Sequence, residues 1–303
     1  MTILILGSTD DEHAVHMYEY LRKHKQDVEL FDSSWFPTQM QISFDPMSGN
    51  GWFRLPGGRV VPFDDVQSVY WRCYNSIGAP ALPDAEQSFI ASNDSRSLFE
   101  SVLMRLPAKW VNGWDGFRLH QTKPAQLAMV AELGVPVPQT ILSNDPQAIR
   151  EFASRQQRCV FKPVQGGAHT RFVTSRHLTD ENLRNLVYAP VTLQEEIPGT
   201  NIRVFVARQQ VLACEVATDA IDFRDDISAV IRPHELPAAI AEQAILIAKR
   251  LHLLWTGMDY RLRPDGQYVF LEANPSPMFI GFEEASGLPL TQSLGHLLMD
   301  KEQ

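Results

Sequence analysis

Several features that define specialised protein classes are missing from this chain of 303 residues. No apolar run approaches the roughly 18 residues that a membrane-spanning helix needs, so we expect no membrane partner. The opening residues MTILILGSTDDE lack a basic flank and turn acidic at once, which predicts a first strand and no signal peptide. Only three cysteines occur, at Cys73, Cys159 and Cys214. Their number and wide spacing indicate neither a disulfide framework nor a zinc site, and a reducing cytoplasm is the simplest expectation.

Charge and composition narrow the function further. The net charge of −9 argues against a general nucleic-acid surface, although a nucleotide ligand needs only a local basic cluster. Hydrophobic residues make up 44% of the chain and charged residues 21%, as in an ordinary globular protein with a sizeable core. We find no internal repeat, low-complexity tract or flexible linker.

The order of predicted elements indicates an α/β fold in three blocks. TILILGS, a helix from Asp11 to Lys25 and DVELFD form a strand–helix–strand start typical of a parallel sheet. This N-terminal α/β domain is predicted over 1–105, a central block over 106–190 and a C-terminal block over 191–303. Helices are predicted at Asp84–Leu106, Gln121–Leu133 and His234–Leu251, and another begins at Asp145. Strands are predicted at KWVN, QTILS, CVFKPV, RFVTSR and VTLQEEI.

The stretch FLEANPSPMF contains the first candidate site. Glu272 and Asn274 are two residues apart at the end of an apolar strand, so their side chains lie on one face. Asp259 precedes the turn Pro264-Asp265-Gly266, so it can face Glu272 from the neighbouring strand. Oxygen ligands of this kind suit magnesium. The alternative is that Glu272 pairs with Arg261 and that Asn274 caps the turn.

Cationic residues form the second candidate site. Lys162 ends an apolar strand and is followed by the loop QGGAHT, in which Gly166 and Gly167 allow backbone N–H groups to approach a phosphate. A plain hairpin turn is the alternative for this loop, and a solvated surface position is the alternative for Lys123. Arg203, on an alternating strand, has the rigid fork that binds phosphate. It could instead pair with Glu195 or Glu215.

Taken in order, these residues resemble the ATP-grasp ligases. The resemblance rests on Lys123, Lys162 with its glycine-rich loop, QEEI, Arg203, Asp259 and the Glu272/Asn274 pair, and it covers most of the chain. It points to the branch that holds the ribosomal-protein glutamate ligase and the microviridin-type (graspetide) peptide ligases. The stretches NIRVFV and LEANPSPMFIGFEEASGLPL resemble the whole branch, whereas VYWRCY and AIDFRDD resemble the peptide-modifying ligases.

The resemblance implies an ATP-grasp fold, in which two α+β subdomains clamp ATP behind the N-terminal domain. It implies that Lys123 and Lys162 contact the phosphates, that Arg203 stabilises an acyl phosphate and that Asp259, Glu272 and Asn274 hold Mg²⁺. A mobile lid is implied over Gln165, Gly166, Gly167, Ala168, His169 and Thr170. The backbone of Glu195, Glu196 and Ile197 would bind adenine. Asn201, where an acidic residue is commoner, and Arg224 are substrate candidates. The alternative for Arg224 is pairing with Asp225 or Asp226.

The function that follows is an ATP-dependent ligase that joins a carboxylate to an amine or hydroxyl group of a peptide or protein substrate. A second copy of the chain, in a homodimer, is a further candidate partner. Three alternatives stay open: a ligase for small amino acids, a phosphotransferase, and a nucleotide-binding regulatory protein without turnover. The aromatic residues Tyr70, Trp71 and Tyr74 could line a peptide groove, but core packing is the favoured interpretation.

Overall fold

The computed structural model describes residues 1–165, 169–218, 220, 223, 226 and 228–300. These residues form a parallel sheet, two larger antiparallel sheets and a small antiparallel sheet, with helices packed around them. Among the described helices, none combines the length and apolar character needed to cross a lipid bilayer.

The parallel sheet lies at the N-terminal end of the chain. Its strands are β1 (Thr2–Leu6), β2 (Val28–Phe31), β6 (Val66–Trp71) and β7 (Lys109–Val111), and they lie in the order β2-β1-β6-β7. Helix α1 (Glu12–Lys23) connects the first two strands, and α2 (Ala85–Arg105) precedes β7. The Asp11 side chain caps α1 by accepting the Ala14 N–H at 2.8 Å. The predicted strand–helix–strand start is therefore confirmed.

A small antiparallel sheet is inserted between β2 and β6. It consists of β3 (Gln41–Phe44), β4 (Gly51–Arg54) and β5 (Val60–Pro62). Gly57 and Gly58 join its last two strands with φ angles of +89° and +91°. Such angles favour glycine, which explains the Gly-Gly pair at this turn.

The central sheet is antiparallel and packs against short helices. Its strands are β8 (Thr140–Ser143), β9 (Cys159–Lys162), β10 (Arg171–Phe172) and β11 (Val191–Glu195), in the order β10-β9-β11-β8. Helices α3 (Trp114–Gln121) and α4 (Lys123–Ala131) precede it, and α5 (Pro146–Arg155) and α6 (Asp180–Leu183) belong to it. Sheet membership moves two strands across the predicted block boundaries, because β7 joins the N-terminal sheet and β11 joins the central one.

Two central elements differ from the prediction. The single helix predicted over Gln121–Leu133 begins at Lys123, and a separate helix, α3, precedes it. The strand predicted for RFVTSR stops after Phe172. The His177 ring accepts the Thr174 N–H at 3.0 Å and closes a short 3₁₀ turn over Ser175–Leu178. This local side-chain contact competes with continued strand pairing.

The C-terminal sheet is antiparallel and carries the candidate metal residues. Its strands are β12 (Thr200–Ala207), β13 (Gln210–Ala217), β14 (Val230–Pro233), β15 (Trp255–Leu262) and β16 (Tyr268–Asn274), in the order β14-β13-β12-β15-β16. The helices are α7 (Ala238–Arg250), α8 (Ile280–Ser286) and α9 (Leu290–Met299). The helix predicted from His234 begins four residues later. The His234 N–H donates to the Ala213 carbonyl, and Pro237 keeps the preceding residue out of the helical conformation.

One hydrophobic core joins the first and last parts of the chain. It contains Ile3 and Val111 of the parallel sheet together with Trp255, Phe279 and Leu294. Tyr70 and Trp71 are also buried, which confirms the core-packing interpretation of those two aromatic residues. The N-terminal domain is therefore fixed directly against the sheet that carries Asp259 and Glu272.

His13 lies in this contact between α1 and the C-terminal segment. Its ring is 4.9 Å from the Phe279 ring, and among the described residues its Nδ1 atom has no hydrogen-bond partner. Burial, aided by the positive charge of Arg72, lowers the pKa of His13 from 6.5 to about 4.

We expect His13 to make the fold sensitive to acid. Between pH 6.5 and about 4 the unfolded chain takes up a proton that the folded chain does not, so stability falls as pH falls through this window. His13→Phe keeps an aromatic ring and removes the titration. Thermal unfolding at pH 7 and pH 5 should therefore show a smaller loss for this variant, whereas the exposed-site control His296→Gln should behave like the unmodified chain. Equal losses in all three proteins would contradict this role.

Candidate active site

Three of the predicted site residues line one cleft. Lys123 reaches it from α4, Lys162 from β9 and Glu272 from β16, so the cleft lies between the central and C-terminal sheets. The remaining lining residues are Pro124, Gln126, Leu127, Thr140, Leu142, Val164, Thr192, Gln194 and Leu271. The cleft is thus apolar along much of its wall and carries charge at one end.

The two candidate carboxylates face each other across adjacent strands. Asp259 of β15 is the register partner of Glu272 of β16, and Gly257 is the partner of Asn274. The placement of Asp259 and Glu272 on neighbouring strands after the Pro264-Asp265-Gly266 turn is therefore confirmed. Asn274 follows Glu272 by two residues on the same strand.

Each carboxylate is already paired with a cation from the predicted phosphate-binding set. The Lys123 Nζ atom lies 2.6 Å from Glu272 Oε2, and the Arg203 Nη1 atom lies 2.7 Å from Asp259 Oδ1. Four charges of alternating sign therefore lie close together, and two of them, Lys123 and Glu272, line the cleft. A ligand that carries both anionic phosphates and a cation would exchange these pairs without leaving a charge unpaired.

The ion pairs that the sequence left open do not form in the described structure. Arg261 donates to the Ile197 carbonyl at 3.0 Å and to Asn201 Oδ1 at 2.6 Å, away from Glu272. Arg203 pairs with Asp259 and not with a glutamate. The capping alternative for Asn274 does hold, since its Oδ1 atom accepts the Ser276 N–H at 2.9 Å.

The two carboxylates have pKa values displaced in opposite directions. Burial raises the pKa of Asp259, and the nearby Arg203 opposes that rise without cancelling it. Burial also acts to raise the pKa of Glu272, but Lys123, Lys162 and His120 together outweigh it and hold the pKa below its usual range. Like charges that face each other compete for ionisation, and a bound cation relieves that competition.

The donor set fits a magnesium ion. The described residues contain no cluster of three or more histidine, cysteine, aspartate and glutamate side chains. The candidate metal ligands are the carboxylates of Asp259 and Glu272 and the amide of Asn274, all of which offer oxygen atoms. Magnesium takes few protein ligands of this type and completes its octahedron with water and phosphate.

Lys162 is a half-buried cation that lines the cleft. Its Nζ atom is 3.4 Å from Gln194 Oε1, and between described residues it forms no ion pair. Burial lowers its pKa, although the Glu272 charge partly offsets that effect. An anion placed beside Lys162 would supply the missing partner.

Arg203 is held in a narrow, mostly aromatic space. Its guanidinium lies 5.5 Å from the Phe205 ring and 5.6 Å from the Phe282 ring, and its Nε atom is buried with no described partner. A Cβ atom at Gly257 would lie 2.8 Å from Nη2, so only glycine leaves room for the guanidinium. No local pattern indicates this role for Gly257, because Arg203 lies 54 positions earlier in the chain and in a different strand.

The predicted adenine segment is partly engaged within the protein. The N–H groups of Glu195 and Glu196 donate to the carbonyls of Gln139 and Arg158 at 2.9 and 3.0 Å. The Ile197 carbonyl accepts from Arg261. An adenine contact is therefore a prediction only for the remaining backbone groups of this segment.

The other predicted residues lie at the margin of the cleft or outside the described part. Gln165 and His169 are exposed, and Thr170 is half-buried. Gly166, Gly167, Ala168 and Arg224 lie outside the described residues. Sequence reasoning missed Thr192 and Gln194, which alternate with the buried Leu193 along β11 and line the cleft. Their period-two spacing was the available signal.

Comparison with known proteins finds one matching family and several similar solved structures. A RimK-like ATP-grasp domain model matches residues 121–298. The solved structure of the ATP-grasp ligase PsnB, complexed with a phosphomimetic variant of minimal precursor, Mg and ADP, is 32% identical with a TM-score of 0.85, covering 98% of this chain and 97% of that one. The macrocyclase MdnC from Microcystis aeruginosa MRC, bound with precursor peptide MdnA, is 24% identical with a TM-score of 0.86 and covers 99% and 100%. Among curated proteins, none matches.

The similarity to MdnC supports the fold alone. The domain match and the similarity to PsnB also show the family. The predicted α/β ATP-grasp architecture is confirmed by these matches and by the order of parallel and antiparallel sheets. The chain belongs to the RimK-like ATP-grasp family.

Proposed function

We propose that the chain is an ATP-dependent ligase that joins a carboxylate to an amine or hydroxyl group of a peptide or protein. The observation that carries this proposal is the alternating charge cluster at the end of the cleft, formed by Lys123, Glu272, Arg203 and Asp259, with Lys162 beside it. Such a cluster matches the charges of a magnesium–nucleotide complex. A site for a neutral ligand would have no use for it.

The proposed reaction begins with attack of a substrate carboxylate oxygen on the γ-phosphorus of ATP. This step forms an acyl phosphate and releases ADP. An amine or hydroxyl group then attacks the acyl carbon, the C–O bond to phosphate breaks, and phosphate leaves with the electron pair while the nucleophile loses a proton. The net change in the peptide is the loss of one water per bond formed within it.

The chain's own residues would position and neutralise charge in this reaction. Lys123 and Lys162 would bind phosphate oxygens, and Arg203, whose Nε atom lacks a described partner, would stabilise the developing acyl phosphate. Asp259, Glu272 and Asn274 would hold magnesium, which neutralises phosphate charge and aligns the oxygens when bound. For this to occur, Lys123 must leave Glu272 as the phosphates arrive, and Arg203 must share Asp259 with the metal.

A peptide substrate is favoured by the PsnB relatives. Structures of that ligase contain a minimal precursor with Mg and ADP, and the precursor peptide PsnA2 with AMPPNP, at 29 to 32% identity over 98% of this chain. We propose the same substrate class here, with either ring closure within the peptide or addition of an amino acid. A homodimer and a cytoplasmic location stay predictions that size-exclusion chromatography and cell fractionation would test.

Mass spectrometry of candidate peptides incubated with the chain and ATP tests this function. Peptides that contain glutamate or aspartate together with lysine, serine or threonine are suitable, including any short peptide encoded beside this chain. Loss of water from the peptide indicates ring closure, and gain of one residue mass indicates addition. A phosphorylated peptide as the only stable product would point to a phosphotransferase. ATP binding without change in any peptide or amino acid would favour a regulatory protein.

A further inference from the structure

The backbone that follows Glu272 is held by side chains from four different elements. Each carbonyl from Ala273 to Ser276 accepts a hydrogen bond from one of them. The donors and distances are Gln126 Nε2 to Ala273 at 2.9 Å, Thr256 Oγ1 to Asn274 at 2.8 Å, Asn112 Nδ2 to Pro275 at 2.6 Å and Arg72 Nη1 to Ser276 at 2.7 Å. We call Gln126, Thr256, Asn112 and Arg72 the carbonyl clamp.

Gln126 makes the most specific of these contacts. Its amide oxygen also accepts the Ala273 N–H at 2.9 Å, so one side chain satisfies both backbone groups of the residue between Glu272 and Asn274. Only an amide has a donor and an acceptor in this arrangement. Gln126 is buried and lies one helical turn after Lys123, so α4 holds the segment through the Lys123–Glu272 pair and through its backbone.

The N-terminal domain supplies the other end of the carbonyl clamp. Arg72 follows β6 and is itself held by Asp11 at 2.9 Å, while the Ser276 hydroxyl donates back to the Arg72 carbonyl at 2.6 Å. Asn112 follows β7, is fully buried, and also accepts the Leu254 N–H at 2.7 Å. Two domains thus fix one four-residue segment.

Such density of contacts exceeds what the sheet requires. Among the described strands β16 pairs with β15 alone, so its outer edge needs partners, but water would satisfy an exposed edge. Here four side chains, three of them buried, donate to four successive carbonyls, so the segment has little freedom to shift. Residues that orient metal ligands in this way typically alter metal affinity by about 10- to 100-fold when they are removed.

We propose that the carbonyl clamp is a set of positioning residues for the metal site, and that Gln126 and Thr256 set the placement of Glu272 and Asn274. This inference rests on the proposed function, because it assumes that those two side chains hold a divalent cation. It assigns a role to the N-terminal domain as well, since Arg72 and Asn112 fix the same segment from that side.

Binding of Mn²⁺ to the ADP-saturated chain, followed by electron paramagnetic resonance, tests the proposal without activity. Gln126→Met and Thr256→Val keep side-chain size and remove the hydrogen bonds, and both are expected to weaken Mn²⁺ binding by about ten-fold or more. Thr256→Ser keeps the hydroxyl and should retain the affinity. For Thr256→Val, a residue that does not line the cleft, ADP affinity measured without metal should stay near that of the unmodified chain.

Two controls lose equivalent bonds far from the cleft. Gln67 donates to the Met299 carbonyl at 2.8 Å, and the buried Ser68 hydroxyl donates to the Leu298 carbonyl at 2.8 Å. Gln67→Met and Ser68→Ala should lower the thermal midpoint without weakening Mn²⁺ binding.

The outcomes separate the inference from the function on which it rests. If the unmodified chain binds no Mn²⁺ with ADP, the metal site itself is wrong. If it binds Mn²⁺ and folded Gln126→Met and Thr256→Val bind it equally well, the clamp is only structural and the proposal is overturned. If Gln126→Met does not fold, the comparison of Thr256→Val with Thr256→Ser decides.

Discussion

Glu272→Ala is expected to abolish ATP-dependent ligation while the chain stays folded. Glu272 faces Asp259 on the adjacent strand and forms its ion pair with Lys123 in the cleft. Removal of a group that stabilises transition-state charge typically costs about 100- to 1000-fold in kcat. The fold should persist because Glu272 is only half-buried and packs in no apolar cluster. Product formation by mass spectrometry and circular dichroism measure the two effects.

Companion variants distinguish a metal ligand from half of an ion pair. Lys123→Met breaks the same pair but leaves the carboxylate, so Mn²⁺ binding should survive in Lys123→Met and disappear in Glu272→Ala. Glu132→Ala removes a glutamate that pairs with Arg250 at 3.1 Å on the surface, and it should change neither property. Metal-dependent turnover that persists in Glu272→Ala would mean that Glu272 serves Lys123 alone.

The sequence predicts the parts of the site that depend on local pattern. Period-two alternation and the Pro264-Asp265-Gly266 turn place Asp259 and Glu272 on facing strands, and the structure confirms their register. Lys162 lies in the cleft as predicted, because its position at the end of an apolar strand is also a local pattern. Each of these inferences needs only neighbours along one or two strands.

The rest depends on contacts between distant segments. The sequence spacing between Lys123 and Glu272 is 149 residues, and Gln126 lies 147 residues from Ala273. A glutamine within a helix carries no sign that its amide will bind a strand edge, because the same residue is common on solvated helix faces. The predicted end of β10 and the predicted start of α7 were wrong for a related reason. The hydrogen bond between Thr174 and His177 and the hydrogen bond of His234 oppose the structure that the local pattern predicts.

Lys162 contrasts with the other two site cations. Lys123 and Arg203 are each paired with a carboxylate, whereas Lys162 is half-buried and its Nζ atom lies 3.4 Å from the Gln194 amide oxygen. Burial lowers its pKa because the charged form lacks water and a close anion. Its charge is therefore unfavourable without ligand, and this suggests that it is retained for binding.

Lys162→Met is therefore expected to weaken ATP binding and leave the free protein at least as stable as before. Methionine keeps an apolar stem of similar length but cannot contact phosphate, and loss of a charged hydrogen bond costs about 1.5–3 kcal/mol, or roughly 10- to 150-fold in affinity. Calorimetry with ATP and thermal unfolding without it measure the two effects, and the exposed-site variant Lys249→Met is the matched control. A purely structural lysine would give the opposite pattern, with a lower unfolding temperature and unchanged ATP affinity. Replacing a phosphate-binding lysine must instead lower the ATP affinity without lowering the unfolding temperature. The partial burial that destabilises its charge in the free protein also strengthens its attraction to the nucleotide.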